Sequence, residues 1–100
     1  MLFRSGEIGE PDVIVDALFG IGLKDAPRED AARMIERINA TGKPVVAVDI
    51  ASGVDASTGA IPGVAVQANV TVTFGTPKVG HLVSPGRGAC GQIQIGRAHV

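Results

Sequence analysis

Tryptophan and tyrosine are absent and only three phenylalanines occur in 100 residues, so the core must be built from Val, Ile, Leu and Ala. The aromatic platforms on which bases and sugars stack are missing as well, which argues against a reader of single-stranded nucleic acid. Cysteine occurs once, at Cys90. That excludes an internal disulfide and a cysteine-cluster metal site, and it fits a reducing compartment. Charge of one sign is also missing, since nine Lys plus Arg face ten Asp plus Glu for a net charge of −1. Phosphate backbones and anionic lipid find no basic excess to attract them. No apolar run approaches the ~18 residues of a membrane span, and Met1-Leu2-Phe3-Arg4-Ser5 meets Glu7 and Glu10 with no apolar stretch of a signal peptide behind it. The expectation is a cytoplasmic protein with no nucleic-acid and no membrane partner.

What is present is apolar and patterned. Apolar residues make up 45% and charged residues 19%, the balance of a globular chain, and the length allows at most one small domain. Asp12 to Leu18, D-V-I-V-D-A-L, is a nearly continuous apolar run and predicts a strand buried on both faces. From about Glu29 to Ala40 the apolar residues Ala31, Met34, Ile35 and Ile38 recur at i, i+3, i+4 and i+7, an amphipathic helix. Asp25 and Pro27 suit its start, Gly42 and Pro44 its stop. Pro44 to Ile50, P-V-V-A-V-D-I, predicts a second buried strand, so the segment reads as a right-handed βαβ crossover with parallel strands. Asn69 to Gly75, N-V-T-V-T-F-G, predicts a third strand with one face more polar or at a sheet edge. The stretch from Gly75 to Gly91 holds two prolines and five glycines and reads as one long loop, followed by a short strand at Gln92 to Ile95.

Four strands and one clear helix are half of a doubly wound sheet, whose second face needs more helices. The expected fold is therefore α/β with a mostly parallel sheet, present as a partial domain over residues 1–94. Residues 95–100, I-G-R-A-H-V, match an in-frame reading of a common sequencing adapter and are expected to be a non-native tail.

Two carboxylates stand out. Asp16 lies inside one apolar run and Asp49 near the end of another, about one βαβ crossover apart. Both should emerge near the carboxyl ends of parallel strands, where open α/β sheets bind ligands. Each taken singly is equally a strand-end Asp accepting loop N–H groups. Gly20-Ile21-Gly22 follows the first strand, but Asp25 stands where a dinucleotide fingerprint needs its third glycine, and no GxxxxGK occurs. Ser52 could ligate a hard cation or cap a turn. A serine hydrolase is poorly supported, for Ser52 lacks the G-x-S-x-G elbow and His81 and His99 give no triad order. His81 reads as a locally satisfied loop histidine and Lys78 as a solvated lysine.

Taken together, I-V-D-A-L-F-G-I-G-L (14–23), V-D-I-A-S-G-V-D-A-S-T-G (48–59) and T-V-T-F-G-T-P-K-V-G-H (71–81) resemble, in order and spacing, the NAD(P)H-hydrate epimerases, the YjeF N-terminal domain. The resemblance implies a Rossmann-like three-layer α/β sandwich, of which this chain is the C-terminal portion. It implies an isomerase of nicotinamide nucleotide repair, interconverting the R and S forms of hydrated NADH and NADPH. Its partner would be an ADP/ATP-dependent dehydratase, fused or separate, and a homo-oligomer is compatible with it. By the same resemblance potassium is the cofactor, with Asp16 and Ser52 as ligands. Gly20, Ile21, Gly22, Leu23, Lys24, Asp25 and Ala26 would contact the hydrated nucleotide, and Asp49 would both contact it and catalyse.

Two departures bear on this. Ala51 stands where the family usually has the proline of D-I-P-S-G, and the family's N-N-G-G-D-G loop, another source of potassium and nucleotide contacts, has no counterpart in these residues. The chain alone is expected to be inactive. A non-catalytic binding module, as among some animal relatives that partner lipoproteins, and another nucleotide-binding α/β domain are the alternatives. The first has no amphipathic lipid-binding stretch to support it.

Overall fold

The computed structural model describes residues 2–3, 12–18 and 26–96. Its elements are β1 (Leu2–Phe3), β2 (Val13–Asp16), α1 (Glu29–Ala40), β3 (Val45–Val48), β4 (Val70–Phe74), α2 (Val79–Leu82), α3 (Gly86–Cys90) and β5 (Gln92–Gly96). The five strands form one sheet in the order β1-β2-β3-β4-β5. β2 through β5 run parallel, and β1 adds to β2 antiparallel. This is the mostly parallel α/β sheet that the apolar runs predict, with the first three expected strands trimmed at their ends, the last one residue longer, and the short β1 added. Ile95 and Gly96, assigned from sequence to a non-native tail, pair with Thr73 and Phe74 as the end of β5; residues 97–100 lie outside the described part. Among the described residues no helix is long and apolar enough to cross a membrane.

Side chains alternate along a strand, so the sheet has two unlike faces. Ile14, Asp16, Val45, Ala47, Thr71 and Thr73 lie on the covered face, each at most 2% exposed. They pack with Ile35 and Ile38 of α1 and with Ile50, Val54, Val66 and Ala89 from the connections. The helix lies where its periodicity puts it, yet its inner stripe is narrow, and Met34 is 49% exposed. The more polar face of β4 is the covered one, since its threonines face the core and its valines outward, and the strand lies between β3 and β5 rather than at an edge. The Thr71 hydroxyl makes this tolerable by donating to the Cys90 carbonyl at 2.7 Å. Thr73 Oγ1 is buried with no hydrogen-bond partner.

The long loop read from Gly75 to Gly91 is a second correction, since it contains α2 and α3. Two of its glycines, Gly80 and Gly86, serve close approach. A Cβ on Gly86 would lie 2.7 Å from the Gly80 carbonyl and 2.7 Å from Val54 Cγ1, a separation only hydrogen can occupy.

Between β3 and β4 the chain has no regular element, and it is tied down by named bonds. Val66 N–H donates to the Ser52 carbonyl at 2.8 Å. Asn39, at the end of α1, donates to the Ala65 carbonyl at 2.9 Å and accepts from Gln67 N–H at 2.8 Å. Gly53 sits where these segments touch, at φ 99°, and a Cβ there would lie 2.1 Å from the Val64 carbonyl oxygen. Gly53→Ala is therefore expected to lower the unfolding free energy by on the order of 3 kcal/mol, read as a lower urea midpoint at unchanged m-value. A change under about 0.5 kcal/mol would show that the loop backbone yields.

Cys90 is buried beneath β4 and β5 as a free thiol. Burial pushes its pKa above the ordinary 9.0, and the nearby Asp16 charge adds to the rise, against the Ala51 backbone amide and the Thr71 hydroxyl, which lower it. The thiol should resist alkylation at neutral pH until the chain unfolds. As pH climbs above 9.0 the unfolded chain releases this proton while the folded chain retains it, so folding stability should fall with pH there. A Cys90→Ala protein should lack that component of the slope; identical slopes would refute the assignment.

Candidate active site

Parallel pairing of β2 with β3 brings the carboxyl ends of both strands to one edge, and the two carboxylates singled out from sequence stand there. Asp16 closes β2 and is fully buried. Its Oδ2 accepts Ser52 N–H at 2.8 Å, and its Oδ1 accepts the Ser52 hydroxyl at 2.6 Å and Leu18 N–H at 3.3 Å. Ser52 is itself 1% exposed. Among the described residues no basic side chain pairs with Asp16. A buried carboxylate is ordinarily balanced by a cationic group or a metal. Three donors leave part of its lone-pair capacity free, and a serine hydroxyl that donates its hydrogen keeps lone pairs of its own. The donor set is all oxygen, which suits a hard cation. Among the described residues no cluster of three or more His, Cys, Asp or Glu could hold a metal, so these two oxygens would be a minority of the ligands.

Asp49 follows β3 directly and is held quite differently. Strand register pairs Asp16 with Ala47, so Asp49 lies two residues beyond the level of Asp16 rather than at an equivalent place. Its φ is 72°, unusual for a residue with a side chain, and Ile50 N–H closes onto the Val48 carbonyl at 2.9 Å. This is the strained, positive-φ form of the γ-turn. Asp49 N–H donates to the Val72 carbonyl of β4 at 2.7 Å. Lys78 Nζ donates to its Oδ1 at 2.6 Å, with the two side chains 38% and 25% exposed. His81, 1% exposed, completes the group. Its Nδ1 accepts Lys78 N–H at 2.8 Å, which puts the ring proton on Nε2, and Nε2 donates to the Asp49 carbonyl at 2.6 Å.

The structure thus joins Asp16 to Ser52, and Asp49 to Lys78 and His81. Gly20, Ile21, Gly22, Leu23, Lys24 and Asp25 lie outside the described residues. Ala26 is exposed, and it stands beside Gly63, where a Cβ would come within 3.0 Å of its own. Sequence reasoning missed Lys78 and His81 as partners of Asp49, reading them as a solvated lysine and a locally satisfied loop histidine. Their spacing of three places them as N-cap and N3 of α2, where Lys78 N–H meets His81 Nδ1, and carries no signal of Asp49.

Ala51, in place of the family's proline, is fully buried. Its backbone amide bears on the Cys90 thiol, a contact that a proline, lacking N–H, could not make.

The sequence is similar to proteins of known name. The chain is 46% identical over 91 residues to the bifunctional NAD(P)H-hydrate repair enzyme Nnr of Thermofilum pendens, covering 91% of this chain and 17% of that protein. It is 47% identical over 87 residues to the NAD(P)H-hydrate epimerase of Limosilactobacillus fermentum, covering 86% of this chain and 41% of that one. With the bifunctional NAD(P)H-hydrate repair enzyme Nnr of Escherichia coli it shares 48% identity over 84 residues, 84% of this chain and 16% of that protein. The chain therefore spans less than half the length of each of these relatives. A profile of the family described as YjeF-related protein N-terminus matches residues 2–80, and with most of its length matched the chain belongs to that family.

Proposed function

We propose that these residues form the C-terminal portion of an NAD(P)H-hydrate epimerase domain, working within a longer protein and inactive alone. The observation that carries this reading is the Asp49 carboxylate, a quarter exposed in a strained turn at the carboxyl edge of the sheet, with the Lys78 ammonium 2.6 Å away. Ligands of open α/β sheets bind at that edge. Strained backbone, too, gathers at functional sites, where the surroundings hold it in place.

The reaction inverts a hydroxyl-bearing ring carbon next to nitrogen. In one route the C–O bond breaks with the nitrogen lone pair forming an iminium, the hydroxyl takes a proton and leaves as water, and water returns on the other face. In the other the hydroxyl proton is lost as the C–N bond opens to an aldehyde, nitrogen is protonated, and the ring recloses inverted. Both need a proton donor and acceptor at that hydroxyl, a role we give to Asp49 and that its partly exposed carboxylate supports. Gly20 to Ala26 would lie along the hydrated nucleotide together with Asp49. Asp16 and Ser52 would hold potassium, which supplies a fixed positive charge at the site. The bifunctional names of two relatives support a second activity in repair, which we assign to an ADP/ATP-dependent dehydratase, fused or separate.

In the intact protein, Asp49→Asn should lower kcat for epimerisation by about 10²-fold or more while the melting temperature stays near that of the parent. Turnover equal to the parent's would remove Asp49 from the chemistry. Potassium is tested by stability as well as by rate. At ten times its Kd, a bound ion adds about 1.4 kcal/mol, so exchanging potassium for a bulky organic cation should lower the melting temperature of the parent and not that of Asp16→Asn. A parent protein indifferent to the exchange would dismiss the ion.

A further inference from the structure

We infer that Lys78, the N-cap of α2, and His81 in its single turn are positioning residues for Asp49, holding its strained peptide and its carboxylate in the reactive arrangement. The inference rests on the proposed role of Asp49 and adds what keeps that residue in place.

Each polar group of Asp49 but one carboxylate oxygen is held from outside β3. Its N–H is fixed by β4 through Val72, its carbonyl by His81 Nε2–H at 2.6 Å, and Oδ1 by Lys78 Nζ at 2.6 Å. Only the turn closed by Ile50 N–H on Val48 is local, and that turn is the strained one. A residue with a Cβ does not stay at φ 72° unless its surroundings over-determine it. The carbonyl bond is the strongest candidate for that restraint, because it comes from a ring that is itself buried and fixed at its other nitrogen. His81 is itself oriented by Lys78 N–H on Nδ1, so the backbone of Lys78 sets the tautomer while its side chain engages the carboxylate. One residue pair thereby grips both ends of Asp49.

The packing of α2 shows how closely this grip is built. Gly80 N–H donates to the Ala56 carbonyl at 2.8 Å. A Cβ at Gly80 would stand 2.8 Å from Ile50 Cδ1 and 2.9 Å from the Asp55 carbonyl oxygen. The helix turn is therefore pressed onto the segment that follows Asp49, and this brings the neighbouring His81 ring within reach of the Asp49 carbonyl. Among the described residues the remaining oxygen, Oδ2, accepts no hydrogen bond.

The test uses the intact protein that carries this segment. His81→Phe keeps a planar ring and removes the donor; His81→Gln places an amide N–H near the position of Nε2. His81→Phe should lower kcat for epimerisation by about 10- to 100-fold with KM within about threefold, and His81→Gln should recover most of the loss. Lys78→Met should likewise reduce kcat more than it raises KM. Equal rates for parent and His81→Phe, or equal damage by Phe and Gln, would overturn the role, the second because it would mark the ring as packing alone. Nitrogen NMR of the His81 ring reads the contact without any turnover: Nε2 should carry a slowly exchanging proton and Nδ1 none, and a proton found on Nδ1 would refute the arrangement. An intact parent without epimerase activity would defeat the proposed function instead, leaving the ring measurement to judge the grip on Asp49.

Discussion

Asp16 is removed from water with no basic side chain paired to it among the described residues, and what surrounds it follows from that. Its charge is spread over donors that must come from the backbone and from one hydroxyl, two of the three belonging to Ser52. The end of β2 thereby fixes the loop that leaves β3, across a gap in sequence of a whole crossover. Once Ser52 is tied there, its carbonyl is oriented to receive Val66 N–H, and the return segment toward β4 is aligned on it. Gly53 lies at this crossing because the two backbones approach too closely for a side chain. A single buried carboxylate thus organises three stretches of irregular chain, which is more than burial of small residues such as Ala51 and Ala65 could do for them. A neutral apolar residue at position 16 would fill the space and leave the Ser52 N–H and hydroxyl buried without acceptors, at about 1–3 kcal/mol for each.

Asp49 stands three residues before Ser52 and is under a complementary constraint. The chain must leave β3 and reach the Asp16 carboxylate at once, and the tight turn at φ 72° is how it changes direction. The turn costs backbone energy, which β4 and α2 offset through contacts to both peptide groups around Asp49. Two acids that look alike in the sequence are therefore driven to different chemistry. Asp16 is buried and held by three donors that leave part of its lone-pair capacity free, which suits a cation, whereas Asp49 is partly open, paired to an ammonium and suited to protons. That division of environment, rather than either residue alone, is what makes this edge of the sheet a plausible place for catalysis.

The strands and α1 were legible because their signals are local: apolar runs, a 3.6-residue period, and glycine and proline at the ends. Asp16, Asp49 and Ser52 were legible for a related reason, being polar residues out of place at the ends of apolar runs, and the family resemblance rests on the same stretches. What escaped reading was anything defined by contact at long range. The glycines of residues 75–91 carry the composition of a loop, yet Gly80 and Gly86 are small because another backbone passes beside them. Lys78 and His81 lie far along the chain from Asp49, and nothing in their own neighbourhood announces that partner. The threonines of β4 face inward because Thr71 can reach the Cys90 carbonyl, a fact fixed by α3 and invisible in an alternating pattern.

The outward valines of β4 lead to the last point. Val13, Val15, Val46, Val48, Val70, Val72 and Phe74 share the second face of the sheet by alternation and register, and Val48 and Phe74 are 36% and 64% exposed. This face is more uniformly apolar than the covered one, which carries Asp16, Thr71 and Thr73. Parallel sheets occur almost only with both faces covered, and an exposed β-branched surface of this kind is unfavourable in proportion to its area. The described helices and core residues serve one face, giving two layers of the three that a Rossmann-like sandwich contains. A chain that spans less than half of its relatives' length need not supply the third layer itself. The site has the same dependence as the sheet, for Asp16 and Ser52 offer a cation only part of an oxygen shell, and Asp49 offers a nucleotide only one wall. Among the described residues the sheet's second face and the site's open positions thus lack cover alike: each needs groups that these residues do not supply.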